Sequence, residues 1–366
     1  MGLSGLPNID KLIQRGNKEG LKKALDSRYS WKLRVDAALA LTELGEELGK
    51  QEFASHLSGL KRHTKESIDA AQALEAAGEK AVGILAAILA DPDENLLSHE
   101  GAASVLALIG GDRSQDALMD VFEQKVADPG SDFRMDYAAK ALEKIGSKRL
   151  VDRLLGHVNG PKDNWEEQTR KKKAILILGA IGSNRAVDSL INLLPREDDI
   201  NPFSKERTRY ASRAAAIALG QIGDARAIAP LIDVLDVTSC LSRDTLSNCA
   251  ADALVRIGES AVGPLVQALS NAKPEIRMGA VYALIYLKTS DAVPKTSDVV
   301  PALIKILEGP DGQAVGRTPE GDWLVARLAC DALRVFGDRS AVPALKAVTS
   351  NESVRKDAEK ALEALA

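Results

Sequence analysis

Ala216-Ile217-Ala218-Leu219-Gly220-Gln221-Ile222-Gly223, continued by Asp224-Ala225-Arg226-Ala227-Ile228-Ala229-Pro230-Leu231-Ile232, is the stretch that decides how the chain is read. Ala215 and Leu219 stand four apart, so they share one helix face, and Gly223 follows as a C-cap. After a short polar turn, Ala227-Ile228 and Leu231-Ile232 repeat with a period of about 3.6 residues, which predicts a second helix. Pro230 falls near its start, where a missing N–H costs little.

Working outward, the same closing anchor recurs ten times, at Gly45, Gly78, Gly110, Gly146, Gly182, Gly223, Gly258, Lys288, Gly337 and Ala366. The spacings run from 29 to 49 residues, and periods of this size mark a helical solenoid. Eight residues before each anchor the column reads alanine throughout, from Ala37 to Ala358, and four before it reads leucine throughout, from Leu41 to Leu362. The alanine lets a neighbouring helix approach and the leucine fills the gap. Pro264, Pro301 and Pro343 are expected, like Pro230, near the starts of second helices. Neither helix of a pair can bury its apolar stripe alone, so the pairs must stack.

These residues resemble the HEAT repeat of the phycobilisome-lyase-like type over nearly the whole chain. The resemblance implies an all-α fold, an α-α superhelix or HEAT-repeat solenoid of about ten helical-hairpin repeats. The organisation expected is one solenoid over 1–366, with an N-terminal cap at 1–27, repeats at 28–345 and a C-terminal cap helix at 346–366. Leu12, Ile13, Leu21 and Leu25 mark the shortened first pair, and Glu359 breaks an otherwise apolar column, as a terminal face should. The repeat at Lys288 has lost its glycine, and its turn is stretched through Asp291–Ser297.

Composition narrows the function classes. Hydrophobic residues make up 45% and aromatics 4%, so the core is aliphatic, and 48 basic against 52 acidic residues give −4, which opposes an all-over grip on nucleic acid. Cys240, Cys249 and Cys330 form no CxxC, which fits a reducing compartment, and we read the chain as cytoplasmic. The longest apolar runs, such as Ala81 to Ala90, are about half the roughly 20 residues a membrane span needs. No lipid-anchor signal opens the chain.

No GxxxxGK[ST], HExxH or GxSxG motif is present. His99-Glu100 resembles the His-Glu pairs with which the HEAT-repeat di-iron hydroxylase holds its metal, but His56, His63 and His157 are followed by Leu57, Thr64 and Val158, so the ligand set is absent. His99 instead shares a column, eleven before the anchor, with Arg34, Lys171, Arg277 and Arg355, and is read as one rung of a structural polar ladder. Cys330, beside the alanine column, is read as a buried filler, while Cys240 and Cys249 fall in or just after the loop Asp236–Asn248. No catalytic residue, metal or cofactor is assigned.

Positions six and two before each anchor point away from the core, at about 100° per residue. There Leu176, Ile217, Tyr282 and Tyr286 are apolar or aromatic, and Lys140, Lys144, Lys172, Lys173, Arg213 and Arg256 surround them. The resemblance implies that this helix lines the concave surface, so these residues are expected to form a groove over repeats four to eight. Burial of the apolar members between repeats is the open alternative. Longer connections at 158–170, 195–209, 236–247 and 308–323 are expected along one edge. Trp31 and Trp323, in equal register, are read as packing residues, and Trp165, in the loop Gly160 to Arg170, as a partner contact. The function read is a non-catalytic protein-protein interaction scaffold, a monomer or weak oligomer, holding an acidic and apolar partner segment. The alternative implied by the resemblance is a bilin lyase or other tetrapyrrole-attachment chaperone, with Tyr282, Tyr286 and Arg256 as walls.

Overall fold

The computed structural model describes residues 7–60, 63–124, 131–160, 164–195, 205–235, 246–289, 296–308 and 322–366, and everything regular among them is helical. Two compact units divide the chain, Met1–Asp152 with Pro161–Ile177 and Arg153–Gly160 with Leu178–Ala366. The first holds the short pair α1 (Ile9–Gln14) and α2 (Lys18–Ala24), then α3 (Trp31–Glu43), α4 (Leu48–Leu57), α5 (Lys65–Ala77), α6 (Val82–Ala90), α7 (Leu96–Ile109), α8 (Asp112–Glu123) and α9 (Ser131–Ile145). Helices α10 (Val151–Asn159) and α11 (Trp165–Ile181) are divided between the units. The second continues with α12 (Val187–Ile191), α13 (Lys205–Ile222), α14 (Ile228–Asp233), α15 (Leu246–Ile257), α16 (Val262–Ala268), α17 (Pro274–Thr289), α18 (Thr296–Glu308), α19 (Asp322–Phe336), α20 (Val342–Val348) and α21 (Glu352–Leu365). No helix of the described residues is long and apolar enough to cross a membrane.

From α3 on, odd-numbered helices carry the alanine and leucine columns and even-numbered helices are the second members of the hairpins. Every alanine of the column is 0% exposed, and every leucine is buried except Leu362, in the terminal helix, which is half-buried. A side chain larger than alanine at that column would push two backbones apart, which is why the column admits only one residue type. Glycine marks positions where even a Cβ would not fit: in the second unit one on Gly220 would stand 2.6 Å from Ala253 Cα, and one on Gly179 2.7 Å from Ala218 Cα.

Each anchor glycine has positive φ, from 58° at Gly78 to 81° at Gly258. Its N–H closes the helix on an upstream carbonyl, as Gly223 does on Leu219 O at 3.0 Å, and the left-handed residue then turns the chain into the next helix. Asp224 caps the following 3₁₀ turn by accepting from Arg226 N at 2.9 Å. At Lys288, where the glycine is missing, α17 continues to Thr289.

Several boundaries differ from the sequence reading. Pro230 and Pro264 are third and Pro343 second in their helices, as expected, but Pro301 lies inside α18, which starts at Thr296. The stretched turn at Asp291–Ser297 is shorter by its last two residues, and 290–295 lie outside the described residues. The boundary at 345/346 cuts α20, whose apolar face (Leu345, Val348) is continuous, and α21 follows it. Glu359 is exposed on α21. At the other end Leu21 and Leu25 are buried, while Ile13 is exposed.

Candidate functional site

The site is built on the face opposite the alanine column. In the second unit, α13, α15 and α17 pack in succession and bring Ile217, Arg256, Tyr282 and Tyr286 to that face. Ile217 is 38% exposed and Tyr286 54%, and Arg256 is exposed between them. Tyr282 differs, because it packs against the cluster of Met278 and Val325 and is half-buried, so inter-repeat packing claims it. Arg213 lies over the Tyr210 ring at 5.0 Å.

The first unit carries the corresponding positions of its own helices. Lys140 and Lys144 on α9 and Lys172 on α11 are exposed, and Leu176 is half-buried. Lys173 is ion-paired with Asp136. Burial pushes the Glu143 carboxyl above its ordinary range, although Lys173 and Lys140 pull it down. Leu108, two before Gly110 and 48% exposed, belongs to the same register and was missed, although completing that column of the sequence finds it. Trp165 is the first residue of α11 rather than part of a loop, and it is 64% exposed. Thus 158–159 and 165–170 are helical, while 161–163 and, of the other three connections, 196–204, 236–245 and 309–321, with Cys240, lie outside the described residues.

Equal register does not give equal burial to the other tryptophans. Trp31 packs on Phe53 and edge-on to His56 at 4.8 Å, with the Arg34 guanidinium 3.8 Å above it. Trp323 is 43% exposed beside Arg327.

The polar ladder is real and extends further than the sequence showed. Polar residues in the N-terminal halves of the odd helices, buried at Ser98, His99, Arg170 and Ser212 and more open at Arg277 and Arg355, donate to carbonyls at or just past the ends of second helices. Ser98 Oγ donates to Ala54 O at 2.8 Å, His99 Nε2 to Asp91 O at 2.8 Å and Ser212 Oγ to Leu193 O at 2.6 Å. Arg170 donates to both Phe122 O and Gln124 O, Arg277 to Asn271 O, and Arg355 to Thr349 O. His99 is therefore a helix-end clasp. Burial holds its pKa below the ordinary 6.5. A base depressed in the fold contributes stability above its unfolded pKa and loses it as pH falls through that value, so the unfolding midpoint should drop from about pH 7 to about pH 5. That drop should be shallower in His99→Gln, and equal slopes in thermal melts of the two proteins would refute the assignment.

Among the described residues no cluster of three or more His, Cys, Asp or Glu could hold a metal. Cys330 is fully buried and its thiol is pushed up to about 12 by burial, with Asp357 and Asp331 adding to it. It should resist iodoacetamide at neutral pH until the protein is unfolded, whereas Cys249, half-buried on α15, should react first. Peptide mass mapping of the alkylated native protein reads this directly, and early labelling of Cys330 would contradict its place in the core.

Residues 213–236 match the model of the PBS lyase HEAT-like repeat, so the chain carries this repeat. No curated protein matches the sequence. Among solved structures, human deoxyhypusine hydroxylase is similar at 18% identity and a TM-score of 0.33, over 80% of this chain and 97% of that one. The CpcE–CpcF complex of phycocyanin lyase from Nostoc sp. is similar at 19% identity and a TM-score of 0.33, over 69% and 93%. Kap121p bound to Nup53p gives 13% identity and a TM-score of 0.46, over 98% of this chain and 43% of that one, so the chain spans less than half of that protein's length. The helical-hairpin fold itself rests on the columns and caps described above.

Proposed function

We propose that the protein is a non-catalytic scaffold that holds an acidic, partly apolar segment of a partner protein on the exposed face of α13, α15 and α17. One observation carries this reading: Ile217 and Tyr286 are open to solvent on helices whose opposite columns are wholly buried, and Arg256 stands exposed between them. Exposed tyrosine and arginine at the centre of an apolar patch are the residue types that dominate binding energy at protein interfaces. In the first unit Lys140, Lys144 and Lys172, with Leu176 and the exposed Trp165, repeat the same chemistry on its own helices and favour the same sign of partner. Free thiols at Cys249 and Cys330 support a reducing, cytoplasmic setting.

The tetrapyrrole alternative requires Tyr282 and Tyr286 as paired walls. Tyr282 is committed to the cluster with Met278 and Val325, which leaves Tyr286 as the open ring of that pair. Panning a random peptide display library against the protein tests the scaffold reading. Enriched peptides should place Asp or Glu beside apolar residues, and Ile217→Glu with Tyr286→Glu should weaken them roughly tenfold or more while circular dichroism stays helical. Selection of no peptide, or of peptides indifferent to the double variant, would contradict it.

A further inference from the structure

We infer that the bound segment lies extended across α13, α15 and α17, with an apolar residue on Ile217, an acidic residue three positions along at Arg256, and a second apolar residue three further at Tyr286. This rests on the face proposed above and adds the conformation and spacing of its occupant. Ile217 stands six before its anchor, and Arg256 and Tyr286 two before theirs, so the path steps one helical turn between the first two helices and runs level between the second and third. Packed helices lie about 8–10 Å apart, and the Gly220–Ala253 approach puts α13 and α15 at the near end of that range. Adding the one-turn offset of about 5.4 Å brings both steps to roughly 10 Å. An extended chain of the polyproline II type covers that distance in about three residues at ~3.1 Å each and, with three residues per turn, turns every third side chain to the same face, whereas an α-helix needs about seven at ~1.5 Å.

Charge selects the acid. On this face of the three helices Arg213 and Arg256 oppose a single acid, Asp252, which stands in the row of Ile217 and Tyr282, one turn from Arg256. Among the described residues Arg256 makes no ion pair, with Asp252 or any other group, while Arg226 and Arg149 are each held by two aspartates. A partner carboxylate at Arg256 therefore displaces no internal bond. The flanking Ile217 and Tyr286 exclude water from such a pair and strengthen it.

Two fluorescein-labelled peptides of about seventeen residues and identical composition test the spacing, each with one Glu and two Leu in Ser/Thr/Gly filler. One places the Leu residues three positions either side of Glu, the other seven; both patterns read alike from either end. Anisotropy titration of the full chain should show the three-spaced peptide binding roughly tenfold tighter. Arg256→Glu should remove that preference, and Lys in place of the peptide's Glu should restore binding to this variant. Equal or tighter binding of the seven-spaced peptide would establish a helical occupant and overturn the proposal, as would indifference to Arg256→Glu. If neither peptide binds while display-selected peptides do, the spacing is wrong and the face stands; if display also selects nothing, both fall.

Discussion

Leu219→Ala should lower the unfolding free energy by about 2–5 kcal/mol, the cost of removing a wholly buried leucine from a core that cannot collapse around the gap. Leu219 sits where α13 meets the next repeat, and its carbonyl also closes the helix on Gly223. A stacked array shares stability between neighbours only, so the damage should be local. Hydrogen exchange should show faster opening in α13 to α15, with α3 to α7 unchanged, while urea titration gives the overall loss. Leu362→Ala, the same substitution in the half-buried terminal member of the column, should cost roughly 1 kcal/mol or less. Equal costs at the two positions would show that the column is not the core of the stack.

Arg170→Met should cost about 3–5 kcal/mol, although arginine is an ordinary surface residue in most settings. Arg170 is 7% exposed, and its guanidinium donates to Phe122 O at 3.0 Å, to Gln124 O at 2.8 Å and to Glu166 at 2.6 Å. Methionine fills most of the volume but removes the Arg170 donor from the carbonyls that end α8 and its positive charge from beside Glu166. Adding Glu166→Gln should recover part of the loss, because the carboxylate that Arg170 paired with is then neutral. Chemical unfolding of the two variants measures both numbers, and a neutral Arg170→Met would remove the clasp from the account.

The fold was legible because its rules repeat. An alanine that admits no larger side chain leaves the same letter at every turn and a glycine held at positive φ does so at all but two, so Ala215, Leu219 and Gly223 describe most of the hairpins at once. Helix starts were harder to read. Pro301 sits inside α18 because the segment before it continues the helix, and Trp165 opens α11 because Glu166 pairs with Arg170 one turn on. The ladder showed only its charged rungs in the sequence, since Ser98 and Ser212 look like surface residues until their hydroxyls are found on buried carbonyls. Register gave the exposed face at Ile217 and Tyr286. It failed at Tyr282 because exposure there depends on Val325 of the next first helix, which lies many residues away in the chain.

The most direct test of the binding face is photo-crosslinking from single positions on it. A benzophenone side chain introduced at Tyr286, at Ile217, or at Gln267, an exposed control on α16, would be irradiated with a display-selected acidic peptide bound. Adducts from positions 286 and 217, with none from 267, are what a binding face on α13, α15 and α17 requires. Adducts equal from all three, or from 267 alone, would contradict it.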